Sequence, residues 1–155
     1  MKKLLVTLCM TATIVGAYAA QPVKLNEPNL EHGKSLMESL SERHSVREYA
    51  AEQLSLQDLS DLLWAANGVS RKDGRRTAPS AMNKQPIRLY VVDAKGTWYY
   101  NHKDHTLEPI QEGDFRQAIR GNTPALNLLV VSEAPDSGLA GVDAGYVSQH
   151  IYLAW

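Results

Sequence analysis

The chain has 155 residues, with 16 basic against 17 acidic side chains, five histidines and a single cysteine. A net charge of −1 gives no reason to expect nucleic acid or an anionic membrane surface as partner, and 44% hydrophobic residues suffice for one domain with its own core. One cysteine excludes an internal disulfide and any cysteine cluster for a metal.

The chain opens Met1-Lys2-Lys3 and then runs apolar from Leu4 to Ala20. A short basic region, an apolar stretch too short to span a bilayer and the small residues around Ala17-Tyr18-Ala19 predict a Sec-type signal peptide over 1–19. The mature protein is then expected to start at Ala20 and to be periplasmic, without stable membrane insertion. Cleavage removes Cys9, Lys2 and Lys3, so no thiol remains and the net charge becomes −3. Residues 20–32 are polar, contain proline and lack periodicity, which reads as an extended arm ahead of a domain over 33–155.

A first helix is predicted over Lys34–Ser41, with Leu36, Met37 and Leu40 on one face. Next comes Arg43-His44-Ser45-Val46-Arg47. In extended backbone Arg43, Ser45 and Arg47 share a face, which makes a small comb of guanidinium forks and a hydroxyl suited to an anion. The alternative reading is a solvated basic turn. Ser55 and Asp58 then approach a capping box, and Leu56, Leu59, Leu62, Leu63 and Ala66 follow at helical spacing up to Asn67-Gly68. That stripe reads as core.

Arg71–Arg76 is a charged loop, either solvated or contacting a phosphate or carboxylate. It leads into Pro79-Ser80-Ala81-Met82-Asn83-Lys84-Gln85-Pro86, where two prolines restrict the backbone and Ser80, Asn83 and Gln85 bring groups that donate and accept. Side-chain amides suit the edge of a heterocycle, such as a flavin ring with its carbonyl acceptors and its N–H donor. A strand follows over Ile87–Val92, turned by Lys95-Gly96 into Thr97–Tyr100, with another short strand over His105–Ile110, a meander at one edge of a sheet. His102 and His105 lie three apart, but no third ligand stands at a recognisable distance, and no metal site is expected. A helix from Gly113 or Asp114 to Arg120 stops at Gly121-Asn122. The apolar run Leu126–Val131 reads as a strand covered on both faces. A last helix over Gly141–Trp155 sets Ala144, Val147, Ile151 and Ala154 on one face and stops without a cap, which reads as a truncated chain.

The pair R-H-S-x-R and P-S-x-x-N-x-Q-P, in this order, resembles the nitroreductase family of FMN-dependent oxidoreductases over about Leu36 to Trp155. The phrase LLWAANGVSRKDGRRTAPSAMNKQP looks like the branch related to the SagB and ThcOx azoline dehydrogenases. Asp143, Gly145 and Gln149 fit the family's D-x-G…Q-N helix, with His150 in place of the commoner asparagine.

The resemblance implies an α+β fold, a central, mostly antiparallel sheet flanked by helices, incomplete at the C-terminus. It implies a homodimeric flavoprotein with FMN at the subunit interface, gripped by Arg43, His44, Ser45 and Arg47 of one subunit and by Pro79, Ser80, Ala81, Asn83 and Gln85 of the other. The reaction implied is two-electron hydride transfer through flavin N5, to or from a nitroaromatic, a quinone or a similar small molecule. Its electron donor would be NAD(P)H, a quinone or a redox protein. No side chain need act as catalytic nucleophile, since the cofactor carries the chemistry. The other reading is an exported flavin-binding or ligand-binding protein without turnover.

Overall fold

The structure, a computed structural model, describes residues 20–31, 33–50, 52–120, 124–136 and 138–154. The expected signal peptide with Cys9, the expected helix stop at Gly121-Asn122 and Trp155 lie outside the described residues.

Five strands form one antiparallel sheet in the order β1-β4-β3-β2-β5. They are β1 (Val23–Lys24), β2 (Ile87–Val92), β3 (Gly96–Asn101), β4 (Thr106–Glu112) and β5 (Asn127–Ser132). Strands β2, β3 and β4 make the expected meander, each joined to the next by a short turn, with burial alternating along β2 and β3 while β4 buries Leu107 alone. The polar stretch 20–31 contributes β1 and buries Leu25 in the core. His105 anchors that stretch: its Nε2 lies 2.9 Å from the Asn26 carbonyl and must donate to it, which leaves Nδ1 to accept from the Tyr100 hydroxyl.

Among the described residues four α-helices accompany the sheet: α1 (Leu36–Glu42), α2 (Leu56–Asn67), α3 (Arg116–Arg120) and α4 (Ala140–Leu153). Helix α2 begins with a complete capping box between Ser55 and Asp58. It ends at Gly68, whose φ of −75° any residue could adopt. The reason for glycine there is contact, since a Cβ would meet the Trp64 ring at 2.5 Å. Leu63 and Ala66 of α2, Val147 of α4 and the sheet residues Leu89, Val91, Trp98, Tyr100 and Leu107 form the core. A fully buried Leu or Val contributes about 1.5–3 kcal/mol, so this cluster dominates the stability.

Leu36, Met37 and Leu40 of α1 stand 61%, 74% and 46% exposed, and only Ser39 of that helix is buried. One expectation fails. The run predicted as a strand covered on both faces is only partly covered: β5 is half-buried along most of its length, Val131 is open to solvent, and among the described residues β2 is its one strand partner. Helix α4 lies against β5.

Candidate functional site

The turn between Pro79 and Pro86 is built against its own backbone preference. Ala81–Asn83 is a single 3-10 turn, and Met82, Asn83 and Gln85 have φ of 52°, 54° and 49°. Non-glycine residues held in that left-handed region cost of order 1–3 kcal/mol each and persist only where neighbours over-determine them. Here the neighbours do so. Ser80 Oγ accepts the Gln85 N–H at 2.7 Å, and the Gln85 side-chain amide donates to Asn83 Oδ1 at 3.0 Å. Asp143 Oδ1 accepts the Ala81 N–H at 3.0 Å, and Arg88 Nη1 donates to the Gln85 carbonyl at 3.0 Å. Arg88 is itself paired with Glu133, whose N–H donates to the Pro86 carbonyl. The Asn83 NH2 and the Gln85 side-chain oxygen keep no partner among the described residues, which leaves a donor and an acceptor beside each other.

Beneath the exit of this turn lies a residue that sequence reasoning did not single out. Arg76 is buried, donates through Nη1 to the Ile87 carbonyl at 3.0 Å and through Nη2 to His102 Nε2 at 2.8 Å, and leaves Nε without a partner. The Ile87 carbonyl also accepts from Asn67 and Arg88. Because Nε2 accepts, His102 is the neutral tautomer carrying its proton on Nδ1. Burial, then the Arg76 and Arg88 charges, push it down to about 4. Arg76 differs from its solvated neighbour Arg75 only in fold position, so no local signal could have found it. The expectation of a solvated loop holds for 71–75 and fails at 76.

Arg43 is the C-cap of α1, and residues 43–50 run on without regular structure, exposed throughout. The Arg43 guanidinium stands 5.8 Å from the Tyr152 ring centroid. His44 Nδ1 donates to the Glu42 carbonyl at 2.8 Å. Arg43, His44 and Val46 line a cavity of about 930 Å³ with Tyr49, Leu126, Ile151 and Tyr152 among its other walls, whereas Ser45 and Arg47 do not line it. The comb expected from strict alternation is therefore split.

Both clusters touch α4 at opposite ends. Asp143 in its first turn meets Ala81, and Tyr152 in its last meets Arg43. Nine residues at 1.5 Å each set these contacts about 14 Å apart along the helix. One chain thus holds the two clusters at opposite ends of the same helix. Among the described residues no group of three metal-ligating side chains converges.

The sequence profile described as the nitroreductase family matches residues 40–150. The chain belongs to the nitroreductase family. This nitroreductase-family chain is 29% identical over 157 residues to a candidate nitroreductase of Methanocaldococcus jannaschii, an alignment covering 84% of this chain and 77% of that protein. The crystal structure of a candidate nitroreductase from Ralstonia eutropha JMP134 superposes with a TM-score of 0.79 at 32% identity, covering 87% of this chain and 71% of that one. A second, from Anabaena variabilis, shares the fold alone, with a TM-score of 0.62 at 21% identity over 77% of this chain and 30% of that one. The expected α+β nitroreductase-like fold is what the chain has. Members of the family are typically dimeric, bind FMN and act as flavin-dependent oxidoreductases on small molecules with NAD(P)H. The donor set fits such a cofactor: exposed guanidinium groups at Arg43 and Arg47 suit a phosphate, and the paired amides of Asn83 and Gln85 suit a ring edge.

Proposed function

We propose that this chain is an FMN-dependent oxidoreductase that moves two electrons to or from a small organic substrate such as a nitroaromatic or a quinone. The observation that carries the reading is the 79–86 turn, a strained backbone pinned from α4 and from Arg88 while its Asn83 and Gln85 amides remain available. Arg43, His44, Ser45 and Arg47 of one subunit would hold the phosphate and the pyrimidine edge. Pro79, Ser80, Ala81, Asn83 and Gln85 of the other would line the opposite side. When bound, FMN supplies hydride acceptance and donation at N5. The protein's part is to bind it, orient it and tune it, with no nucleophilic side chain.

With the two clusters anchored at opposite ends of α4, a composite site would be completed by a second copy of the chain. The outer face of α4 supports the same view. Leu139, Val142 and Tyr146 are exposed there, and at Gly141 and Gly145, one turn apart, a Cβ would meet nothing within 4 Å. Helix glycine costs up to about 1 kcal/mol and is useful where another backbone approaches closely. Homodimerisation through this face and through Leu36, Met37 and Leu40 of α1 would cover both apolar surfaces.

Within the family the phrase from Leu62 to Pro86 assigns the chain to the branch related to the SagB and ThcOx dehydrogenases. Export by the signal at 1–19 makes the protein periplasmic, loaded with FMN after crossing. Nicotinamides are scarce there, so a quinone or a redox protein competes with NAD(P)H as electron donor.

The purified protein is expected to be yellow, to release FMN on denaturation and to reduce a nitroaromatic or quinone under steady-state conditions. A colourless, well-folded dimer that takes up no added FMN would sink the proposal.

A further inference from the structure

Asp143 is 3% exposed, yet it forms no ion pair among the described residues. Burying a carboxylate without a cation is costly, and it is tolerated where the charge makes a hydrogen bond that matters. The acceptor in this case does not serve its own helix. Its bond goes to the Ala81 N–H, 62 positions away, at the head of the 3-10 turn. Ser80, the turn's own N-cap, makes no side-chain cap bond, and its hydroxyl accepts from the Gln85 N–H instead. The turn is therefore capped from α4, and the first turn of a helix is a favourable place for the negative charge that does it.

The left-handed run begins one residue later, at Met82. Without the Ala81 anchor the entry to that run is free to relax towards ordinary backbone, while the exit stays held by Arg88. We propose that Asp143 is a positioning residue for the flavin-facing turn, its carboxylate fixing the Ala81 amide and with it the left-handed residues Met82, Asn83 and Gln85. The role rests on the flavin reading given above. It differs from general support of α4, which is the work of Val147 and Ile151 against the core.

The test compares Asp143→Ala, Asp143→Asn and Val147→Ala in the full chain, reading hydrogen exchange at the Ala81 amide, FMN affinity by flavin fluorescence quenching, and Tm. Loss of one charge-assisted bond corresponds to about tenfold or more, so Asp143→Ala is expected to lower Ala81 protection and FMN affinity by about that factor. Asp143→Asn keeps an acceptor oxygen and is expected to restore both to within about threefold. Val147→Ala is expected to lower Tm while leaving Ala81 protection and FMN affinity within about threefold. Unchanged Ala81 protection in Asp143→Ala, or equal losses in Asp143→Asn and Asp143→Ala, would overturn the positioning role. So would a Val147→Ala loss of FMN affinity as large as that of Asp143→Ala. If Asp143→Ala fails to fold, the Asp143→Asn and Val147→Ala pair still decides, since poor Ala81 protection in a stable Asp143→Asn protein refutes the bond. Wild-type protein that takes up no FMN, with Ala81 protection still lost in Asp143→Ala, would overturn the flavin reading and reduce the contact to a tie between helix and loop.

Discussion

The two clusters, each carrying a serine and basic side chains, are held in opposite ways. The turn at 80–85 is fixed by hydrogen bonds from α4, from β2 and from within itself. The segment 43–47 is exposed, and its visible restraints are the Arg43 N–H bond to the Ser39 carbonyl, the His44 bond to its own chain and the Arg43 contact with Tyr152. A pinned cluster has its ordering cost met during folding and can present groups to a ligand at once. A loose one meets that cost on binding, whether to a cofactor or to a second subunit.

Matched substitutions break or sharpen this contrast. The largest expected effect belongs to the two arginines. Arg88→Ala removes donors to two carbonyls and an ion-pair partner at partly buried sites, and is expected to cost about 2–3 kcal/mol in urea denaturation. Arg43→Ala should change stability by less than about 1 kcal/mol, the scale of an exposed cation–π contact. The same Arg43→Ala should nevertheless weaken FMN binding by roughly 1.5–3 kcal/mol in a titration. Equal stability losses in both variants would erase the difference between the clusters.

His102, bonded to Arg76 beneath the exit of the pinned turn, should add an acid sensitivity. His102 takes up its proton near pH 4 in the folded protein and near 6.5 in the unfolded chain, so between those values the unfolded state holds more protons. Stability is therefore full above about pH 6.5 and falls as the pH drops through 4. After discounting for partial exposure, the loss is about 1–2 kcal/mol. His102→Gln, whose oxygen can still accept from Arg76, should flatten that slope in melts recorded across the window. An unchanged slope would assign it to other groups.

The smallest contrast is between serines. Ser80→Ala leaves the Gln85 N–H without its partner and should cost about 1 kcal/mol, whereas Ser45→Ala should stay within about 0.5 kcal/mol of wild type. Chemical denaturation of both variants measures the gap.

Much of the scaffold was legible because its signals are local. The alternation in Ile87–Val92 and the Ser55–Asp58 cap are decided within a few residues, and both elements stand where that chemistry put them. The apolar pattern was less informative, because it says a face needs cover without saying what covers it. Leu36, Met37 and Leu40 make an apolar helix face, and the Leu126–Val131 run makes an apolar strand, but one is exposed and the other lies at a sheet edge. At the candidate site the side chains of the 79–86 turn could be named from their type, whereas what holds them could not. The left-handed backbone sits on Met, Asn and Gln instead of glycine, and the tie from Asp143 spans 62 positions.

That reach along the chain has a consequence in time. His150 lies against the Ala65 carbonyl across 85 positions, so α4 docks on α2 only after the intervening chain is made. Contacts that distant close late, because the intervening chain must lose its freedom first. As synthesis proceeds, α2 and the β2–β3–β4 meander emerge while the stripe of Leu63 and Ala66 still lacks its partner helix. A nascent chain halted before Ala140 shows chaperones and proteases a bare apolar helix and a slack 80–85 turn. Arrival of the last helix closes the core and sets the turn in one step.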